Sequence, residues 1–206
     1  MSYLKFRAVQ ASLATAAVTA ILLALIAISP VEQSQAMAQG ADWGPTWTAD
    51  GKLELPDGYH EWIFLGSPLT PNALNGGQAG FPEYHNVYVH PQAFRAYRKT
   101  GEWPEGTILL KELQLLRNGT SADGSSVEAS GRGYFPGARN GIDISVKDSK
   151  RFKDTEGWGF FTFGHTAPPY PGVAELQPVD NCAGCHIANA TNMVFSKFYD
   201  PILNAD

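Results

Sequence analysis

The sequence predicts an α+β fold, made mainly of antiparallel β-sheet with a few helices. Its 206 residues include 21 glycines and 14 prolines, which favour turns, and 12% of them are aromatic. The aromatic residues stand in short runs, a pattern more typical of strands joined by turns than of a helical bundle. Because no segment repeats internally, one domain is expected over residues 39–206, after an N-terminal leader at 1–38.

Local periodicity places the individual elements. Apolar and polar residues alternate over 84–90, which predicts a strand with His85 on the same face as two valines. A helix is expected to start at Pro91 and to end near Gly101. The stretch 118–133 is rich in glycine and serine and is expected to be a loop. Three more strands are predicted at 107–116, 141–146 and 158–163.

The only two cysteines lie in the motif CAGCH at 182–186. This spacing is typical of c-type haem attachment, so Cys182 and Cys185 are predicted to hold the porphyrin through thioethers and His186 to ligate the iron. The alternatives are a redox dithiol, half of a zinc site and a structural disulfide. The sequence shows neither the βαβ pattern that accompanies many redox dithiols nor a second closely spaced pair of zinc ligands. The motif is also predicted to open a C-terminal helix that extends to Phe198.

The chain begins like that of an exported protein. Two basic residues precede an apolar run over 8–28, and Ala36-Met37-Ala38 has the small-residue spacing of a cleavage site. This pattern predicts a secretory signal peptide over 1–38 that is cleaved near Ala38. The alternative is an uncleaved membrane anchor, because the apolar run approaches the ~20 residues of a spanning helix. Covalent haem on an exported chain indicates the periplasm, and no membrane attachment is expected after cleavage.

The charge balance bears on the partners. The full chain has a formal net charge of −5 at pH 7. The leader removes two basic residues and one acidic residue, so a charge of −6 remains. This acidity argues against nucleic acid as a partner, for which a basic stripe would be expected. It suits a basic electron acceptor.

Lys111 has an unusual position for a lysine. In the strand predicted at 107–116 it shares a face with three leucines. Burial there would disfavour the ammonium form and leave a neutral, nucleophilic amine. The alternative is a side chain that reaches the sheet edge, or that pairs with Glu112 or with a more distant acid.

A series of short segments runs through the chain in a recognisable order. They are EWI at 61–63, TPNALN at 70–75, VYV at 87–89, KTGE at 99–102, GT at 106–107, KEL at 111–113, SVKDSKRF at 145–152 and CAGCH at 182–186. In order and spacing, over roughly residues 52–203, the sequence resembles the cytochrome P-460 family. The haem motif alone occurs in many cytochromes, whereas this series of segments is specific.

The resemblance implies a fold of mainly antiparallel sheet, commonly a homodimer, with one haem c that has histidine on one side of the iron and an open site on the other. In this family a lysine bonds covalently to the macrocycle, and Lys111 occupies its place. The implied activity is oxidation of hydroxylamine to nitrous oxide or another nitrogen oxide. Electrons would pass to a soluble cytochrome or another external acceptor, and nitric oxide is a further expected ligand.

Two residues of the implied open site depart from the family pattern. The family carboxylate, glutamate in the best-known members, is Asp143 here, and an arginine of those members is His85. We expect Asp143 to accept protons and His85 to act as a base, a hydrogen-bond donor or an iron ligand. Alternation instead places Ile142, Ile144 and Val146 on the buried face of the strand. Asp143 therefore points inward only if both faces are covered, and the alternative is a solvent-facing acid.

Two further residues bear on the haem environment. Phe161, in the aromatic strand at 158–163, is selected as a pocket residue because apolar rings exclude water from a macrocycle. Ordinary core packing is the alternative for it. Met193, the single methionine after the leader, follows His186 too closely to reach the opposite side of the iron.

The sequence thus predicts a periplasmic haem c enzyme that oxidises hydroxylamine. One alternative resembles the cytochrome c′-beta proteins, which share the fold, lack the lysine bond and bind nitric oxide or similar gases without obvious turnover. A further alternative is a six-coordinate electron-transfer cytochrome with His85 on the iron.

Overall fold

The computed structural model describes residues 43–203 and confirms the α+β class. The signal peptide predicted at 1–38 lies outside these residues. Most of the described secondary structure is antiparallel sheet. The strands are β1 (Leu53–Glu54), β2 (Ile63–Gly66), β3 (Tyr84–Val89), β4 (Ile108–Leu116), β5 (Ser126–Glu128), β6 (Gly131–Gly133), β7 (Pro136–Lys147), β8 (Trp158–Thr162) and β9 (Val173–Ala174). The α-helices are α1 (Pro91–Thr100), α2 (Ala183–Asn189) and α3 (Asp200–Leu203).

A five-stranded antiparallel sheet forms the centre, in the order β2-β3-β4-β7-β8. Two-stranded pairs β1-β9 and β5-β6 flank it, and the second of these pairs lies in the stretch predicted as a loop. None of the helices within residues 43–203 combines the length and the hydrophobicity that crossing a membrane requires. Within the five-stranded sheet the neighbouring strands β4 and β7 are the longest, with nine and twelve residues.

The boundaries of α1 are confirmed, and local chemistry explains them. Pro91 occupies the first turn, where its missing N–H has no helical partner to lose. Nδ1 of His90 accepts a hydrogen bond from the backbone N–H of Gln92 at 3.2 Å and caps the start. The helix ends at Gly101, whose φ of 75° is a left-handed conformation that glycine adopts without steric cost.

The central sheet is covered on both faces. On one face, Leu110, Ile142 and Ile144 pack in a cluster with Leu53 and Phe161. On the other face, a second cluster joins the central strands to the C-terminal region, and its members include Val87, Val89, Leu109, Phe160, Ala183 and Met193. Successive side chains of a strand point to opposite faces, so Lys111 and Asp143 lie on the same face as this second cluster. Coverage of both faces explains how Asp143 can point inward beside buried isoleucines.

The prediction of a C-terminal helix extending to Phe198 was wrong. Helix α2 ends at Asn189, and residues 191–194 form a tight turn closed by hydrogen bonds between Thr191 and Val194. The central residues of this turn have positive φ, 49° at Asn192 and 64° at Met193, which no α-helix can continue through. Of the apolar residues whose spacing suggested a longer helix, Val194 packs in a core cluster, whereas Phe198 is 51% exposed.

A substitution at Gly159 in β8 tests how closely this strand packs against the loop between β7 and β8, which contains Phe152. A Cβ at Gly159 would lie 2.4–2.6 Å from three ring atoms of Phe152. Gly159→Ala is therefore expected to lower the free energy of unfolding of the haem-loaded protein by about 1–3 kcal/mol, measured by urea denaturation. The matched control is Gly133→Ala in β6, where a Cβ meets nothing within 4 Å. Equal stabilities for the two variants would contradict this packing.

Candidate functional site

Four strands present one row of side chains toward the C-terminal region. Val87 in β3 pairs with Lys111 in β4, Lys111 pairs with Asp143 in β7, and Asp143 pairs with Thr162 in β8. Side chains directly opposite each other in antiparallel strands point to the same face of the sheet. This register brings together Lys111 and Asp143, which the sequence analysis had selected separately.

Lys111 and Asp143 form an ion pair across the two central strands. Nζ of Lys111 lies 3.0 Å from Oδ2 of Asp143, and the side chains are 27% and 19% exposed. Nζ also lies 4.4 Å from the centroid of the Phe81 ring, a cation–π distance. Pairing with a more distant acid was one of the predicted alternatives for this lysine. The amine is therefore held at a defined position on the sheet and does not extend freely into solvent.

The other oxygen of Asp143 contacts a histidine. Oδ1 lies 3.0 Å from Nε2 of His165, in the loop after β8. Burial by itself raises the pKa of Asp143, but the hydrogen bond from His165 and the charge of Lys111 outweigh it and bring the pKa to about 2. Asp143 is thus ionised at neutral pH, with both oxygens engaged.

His85 lies on the same side of the sheet and is neutral. Its pKa falls to about 4, mainly because burial disfavours the imidazolium and also because the Lys111 charge repels it. Its ring packs edge-on against Phe81, with centroids 5.7 Å apart. Nε2 of His85 is buried and has no hydrogen-bond partner within the described structure. A buried imidazole nitrogen without a partner is costly, and it is available to a ligand.

His186 is oriented by its surroundings. Its Nδ1 lies 2.8 Å from the backbone carbonyl oxygen of Met193. The rings of Phe160 and Phe195 flank the imidazole, with centroid distances of 4.6 Å and 4.8 Å. Burial lowers the pKa of His186. A histidine that is bonded through Nδ1 and neutral has Nε2 free to ligate a metal, the arrangement common to axial histidines.

The two cysteines are free thiols at the start of α2. Cys182 is half-buried against the second core cluster, and Cys185 is exposed. The pKa of Cys182 is raised, first by burial and then by the negative charge of Asp143, while Lys111 opposes the shift. Cys182 and Ala183 pack with Val87 and Leu109, so the start of the CAGCH motif lies against the sheet face that carries Lys111 and Asp143.

These residues fit a covalently held haem. Two thiols within one helical turn and an imidazole with free Nε2 are the donor set that a c-type haem needs. On the same face of the sheet lie the Lys111 amine and Nε2 of His85, which has no hydrogen-bond partner within residues 43–203 and could bind a polar ligand. The donor chemistry thus agrees with the motif.

Phe161 does not fit its predicted place in the pocket. It belongs to the core cluster on the opposite face of the sheet, where its ring lies 5.6 Å from that of Trp47. Phe160, one residue earlier, contacts His186 instead. The alternation of β8 separates the two phenylalanines, and only the packing of the C-terminal region shows which face carries the site.

The sequence patterns described above give no role at the site to Phe81 or to His165. Both lie in loops, where periodicity carries no information. Phe81 contacts the three side chains of Lys111, His85 and His165. A family pattern could have identified it, but composition and spacing alone could not.

Comparison with known proteins assigns the family. A search of curated proteins gave no match. The family model described as Cytochrome P460 matches residues 56–196, a span of more than half of the chain that includes Lys111, Asp143 and the CAGCH motif. The chain therefore belongs to the cytochrome P460 family of haem proteins.

Proposed function

We propose that this protein is a c-type haem oxidoreductase that oxidises hydroxylamine to nitrous oxide or another nitrogen oxide. The observation that carries the proposal is the pair of Lys111 and Asp143, a primary amine 3.0 Å from an ionised carboxylate, on the sheet face that also receives the haem motif. Family membership supports a haem-dependent oxidoreductase. The proposal that the substrate is hydroxylamine rests on the residues around Lys111 and Asp143.

Cys182 and Cys185 would hold the haem through thioethers, and Nε2 of His186 would be the axial ligand. When bound, the haem supplies an iron centre that binds the substrate nitrogen and accepts its electrons. The Met193 carbonyl fixes the orientation of His186, and the phenylalanines beside the ring keep water from it. The residues of the chain thereby set the position and basicity of this ligand.

Lys111 is proposed to bond to the macrocycle, as the lysine of the family does. Such a C–N bond would replace an N–H bond of the amine and a C–H bond of the macrocycle, so two protons and two electrons would leave. Asp143, 3.0 Å from the amine, is placed to take a proton, and the electrons would pass to an external oxidant such as a peroxide. Bonding would also remove a positive charge from beside Asp143. Since the Lys111 charge is one of the causes that hold the pKa of Asp143 at about 2, its loss would make Asp143 a stronger base.

Asp143 and His85 would have different roles toward the substrate, proton acceptance and hydrogen bonding. Asp143 would take protons from the substrate as electrons leave it. Neutral His85, whose buried Nε2 has no partner within the described residues, would offer one hydrogen bond to the substrate. A neutral imidazole leaves the negative charge of Asp143 less compensated than an arginine would.

The cellular setting is part of the proposal. The signal-peptide pattern at 1–38 supports a periplasmic protein, since covalent haem accompanies export. The full chain has a net charge of −5, and removal of the leader would change it to −6. This negative charge suits a basic, soluble cytochrome as electron acceptor. The resemblance to the family supports a homodimer.

One observation favours a second candidate. Nε2 of His85, which is buried and has no hydrogen-bond partner in the described part of the chain, has the lone pair that an iron ligand needs. If it ligated the iron opposite His186, the protein would be a six-coordinate electron-transfer cytochrome. If instead Lys111 remained unbonded at an open iron, the protein would be a binder of nitric oxide like the cytochrome c′-beta proteins.

The lysine bond is tested by digesting the native protein and identifying every haem-bound peptide by tandem mass spectrometry. We expect peptides from Lys111 and from both cysteines. Lys111→Arg keeps a cation opposite Asp143 but removes the primary amine, so only the cysteine peptides should remain, with an altered visible spectrum. Lys147→Arg, in the same sheet, is the control and should resemble the wild type. Wild-type haem bound through the cysteines alone would favour the gas-binding candidate.

The role of Asp143 is tested by Asp143→Asn. Because the amide cannot accept a proton, hydroxylamine oxidation should slow by roughly 10²–10⁴-fold, measured with a redox dye as acceptor, while haem content is retained. The exposed acid Asp57 serves as control, and Asp57→Asn should leave the rate unchanged. Full activity of Asp143→Asn would remove this residue from the proton path.

The coordination state is tested by the ferric visible spectrum. We expect addition of hydroxylamine or nitric oxide to change the wild-type spectrum, because the iron has an open position. His85→Leu should keep this response, with altered ligand affinity. A low-spin wild-type spectrum that ignores both ligands, and becomes responsive in His85→Leu, would establish the six-coordinate candidate instead.

A further inference from the structure

We propose that His165 is the residue through which Asp143 exchanges protons with solvent. The inference rests on the proposed function, because it assigns a path to the protons that hydroxylamine oxidation releases. His165 acts through Asp143 and is not required to touch the substrate. Neither the haem motif nor the ion pair of Lys111 and Asp143 accounts for its position.

The geometry places His165 between a half-buried acid and water. Its Nε2 lies 3.0 Å from Oδ1 of Asp143, a hydrogen-bond distance. The side chain of Asp143 is 19% exposed, whereas that of His165 is 46% exposed. Since Lys111 engages the other carboxylate oxygen, His165 is the more accessible of the two groups bonded to Asp143.

The backbone is shaped to bring His165 to this position. Gly141, in β7 two residues before Asp143, has a φ of 149°. A Cβ there would lie 2.4 Å from the carbonyl oxygen of Gly164, 3.0 Å from Cα of His165 and 3.2 Å from its ring. Only a glycine allows this approach. The ring of Phe81 packs on His165 at a centroid distance of 5.9 Å and limits its movement.

Three charged groups face His165, and their balance favours a ring that can hold a proton. The hydrogen bond that His165 donates to Asp143 is the largest cause that raises the pKa of His165. Burial and the charge of Lys111 oppose the increase, and Glu83 adds to it. Glu83 is 7% exposed, and its Oε2 has no hydrogen-bond partner among the described residues. Its Oε1 accepts a hydrogen bond from Asn140 at 2.8 Å.

Oxidation of hydroxylamine releases protons that must leave the site for solvent. Every electron removed from hydroxylamine on its way to a nitrogen oxide is matched by one proton that leaves an N–H or O–H bond. A bound haem would supply the electron acceptance, with a one-electron acceptor protein as the final oxidant. Each proton passes to Asp143 and then to Nε2 of His165, in the neutral tautomer that carries its hydrogen on Nδ1, and the imidazolium then loses the Nδ1 proton to water. Exchange with water returns the ring to its first tautomer, and the carboxylate is ready for the next proton.

The path from Asp143 through His165 to water is called the proton relay below. The variant His165→Gln tests this relay, and His60→Gln is the matched control. His60 is also a half-exposed histidine near a carboxylate, with 48% exposure and Nε2 3.5 Å from Oε1 of Glu112, but it lies by the other core cluster. We expect kcat to fall by about 10-fold or more in His165→Gln, less than for loss of the base itself, with KM unchanged. Added imidazole should restore the rate, since it supplies the missing proton carrier.

A measurement without turnover separates the relay from the proposed function. Loss of a proton from His165 removes a positive charge near the haem and favours ferric iron, so the wild-type midpoint potential should fall as pH rises through that titration. His165→Gln should abolish this slope, and His60→Gln should keep it. If the wild type does not oxidise hydroxylamine, the proposed function fails. The pH dependence of the midpoint potential in the wild type and in His165→Gln then tests proton exchange through His165 without turnover.

The relay would be overturned by either of two results. One is a His165→Gln variant that turns over like the wild type and gains nothing from imidazole. The other is a midpoint potential whose pH dependence is the same in His165→Gln and in the wild type.

Discussion

The antiparallel register that sets Lys111 opposite Asp143 is the constraint on which the rest of the site depends. Side chains alternate along a strand, so a slip of one residue between β4 and β7 would separate the two groups onto different faces. Packing opposes such a slip, because Leu110, Ile142 and Ile144 fill the opposite face. The hydrophobic cluster on one side of the sheet therefore fixes the polar chemistry on the other.

The site joins two kinds of structure. The sheet contributes Lys111, Asp143 and His85 from rigid strands, and the C-terminal segment contributes the motif that begins with Cys182. Core contacts between β8 and that segment, including Phe160 against His186, bring the two parts together. The residues that would hold a haem thus come from one part of the structure, and those proposed to act on its substrate come from the other.

The sequence predicted what depends on local pattern. The strands around Lys111 and Asp143, the helix that starts at Pro91 and the attachment motif are each visible in alternation, capping or spacing. The choice of Phe161 failed, because alternation separates two faces without saying which one the C-terminal segment covers. The position of His165 was also beyond prediction, since it depends on the close approach of the loop after β8 to Gly141 in β7.

The turn at 191–194 has a consequence for how this chain can vary. The partner of His186 Nδ1 is a main-chain oxygen, that of Met193, so replacing the Met193 side chain does not delete the hydrogen bond. What must persist is a backbone of positive φ at Asn192 and Met193, which asparagine and glycine tolerate best. Natural substitution at Asn192 should be limited by main-chain geometry and at Met193, which is buried in the core, also by packing, whereas the hydrogen bond to His186 does not depend on which side chain stands there.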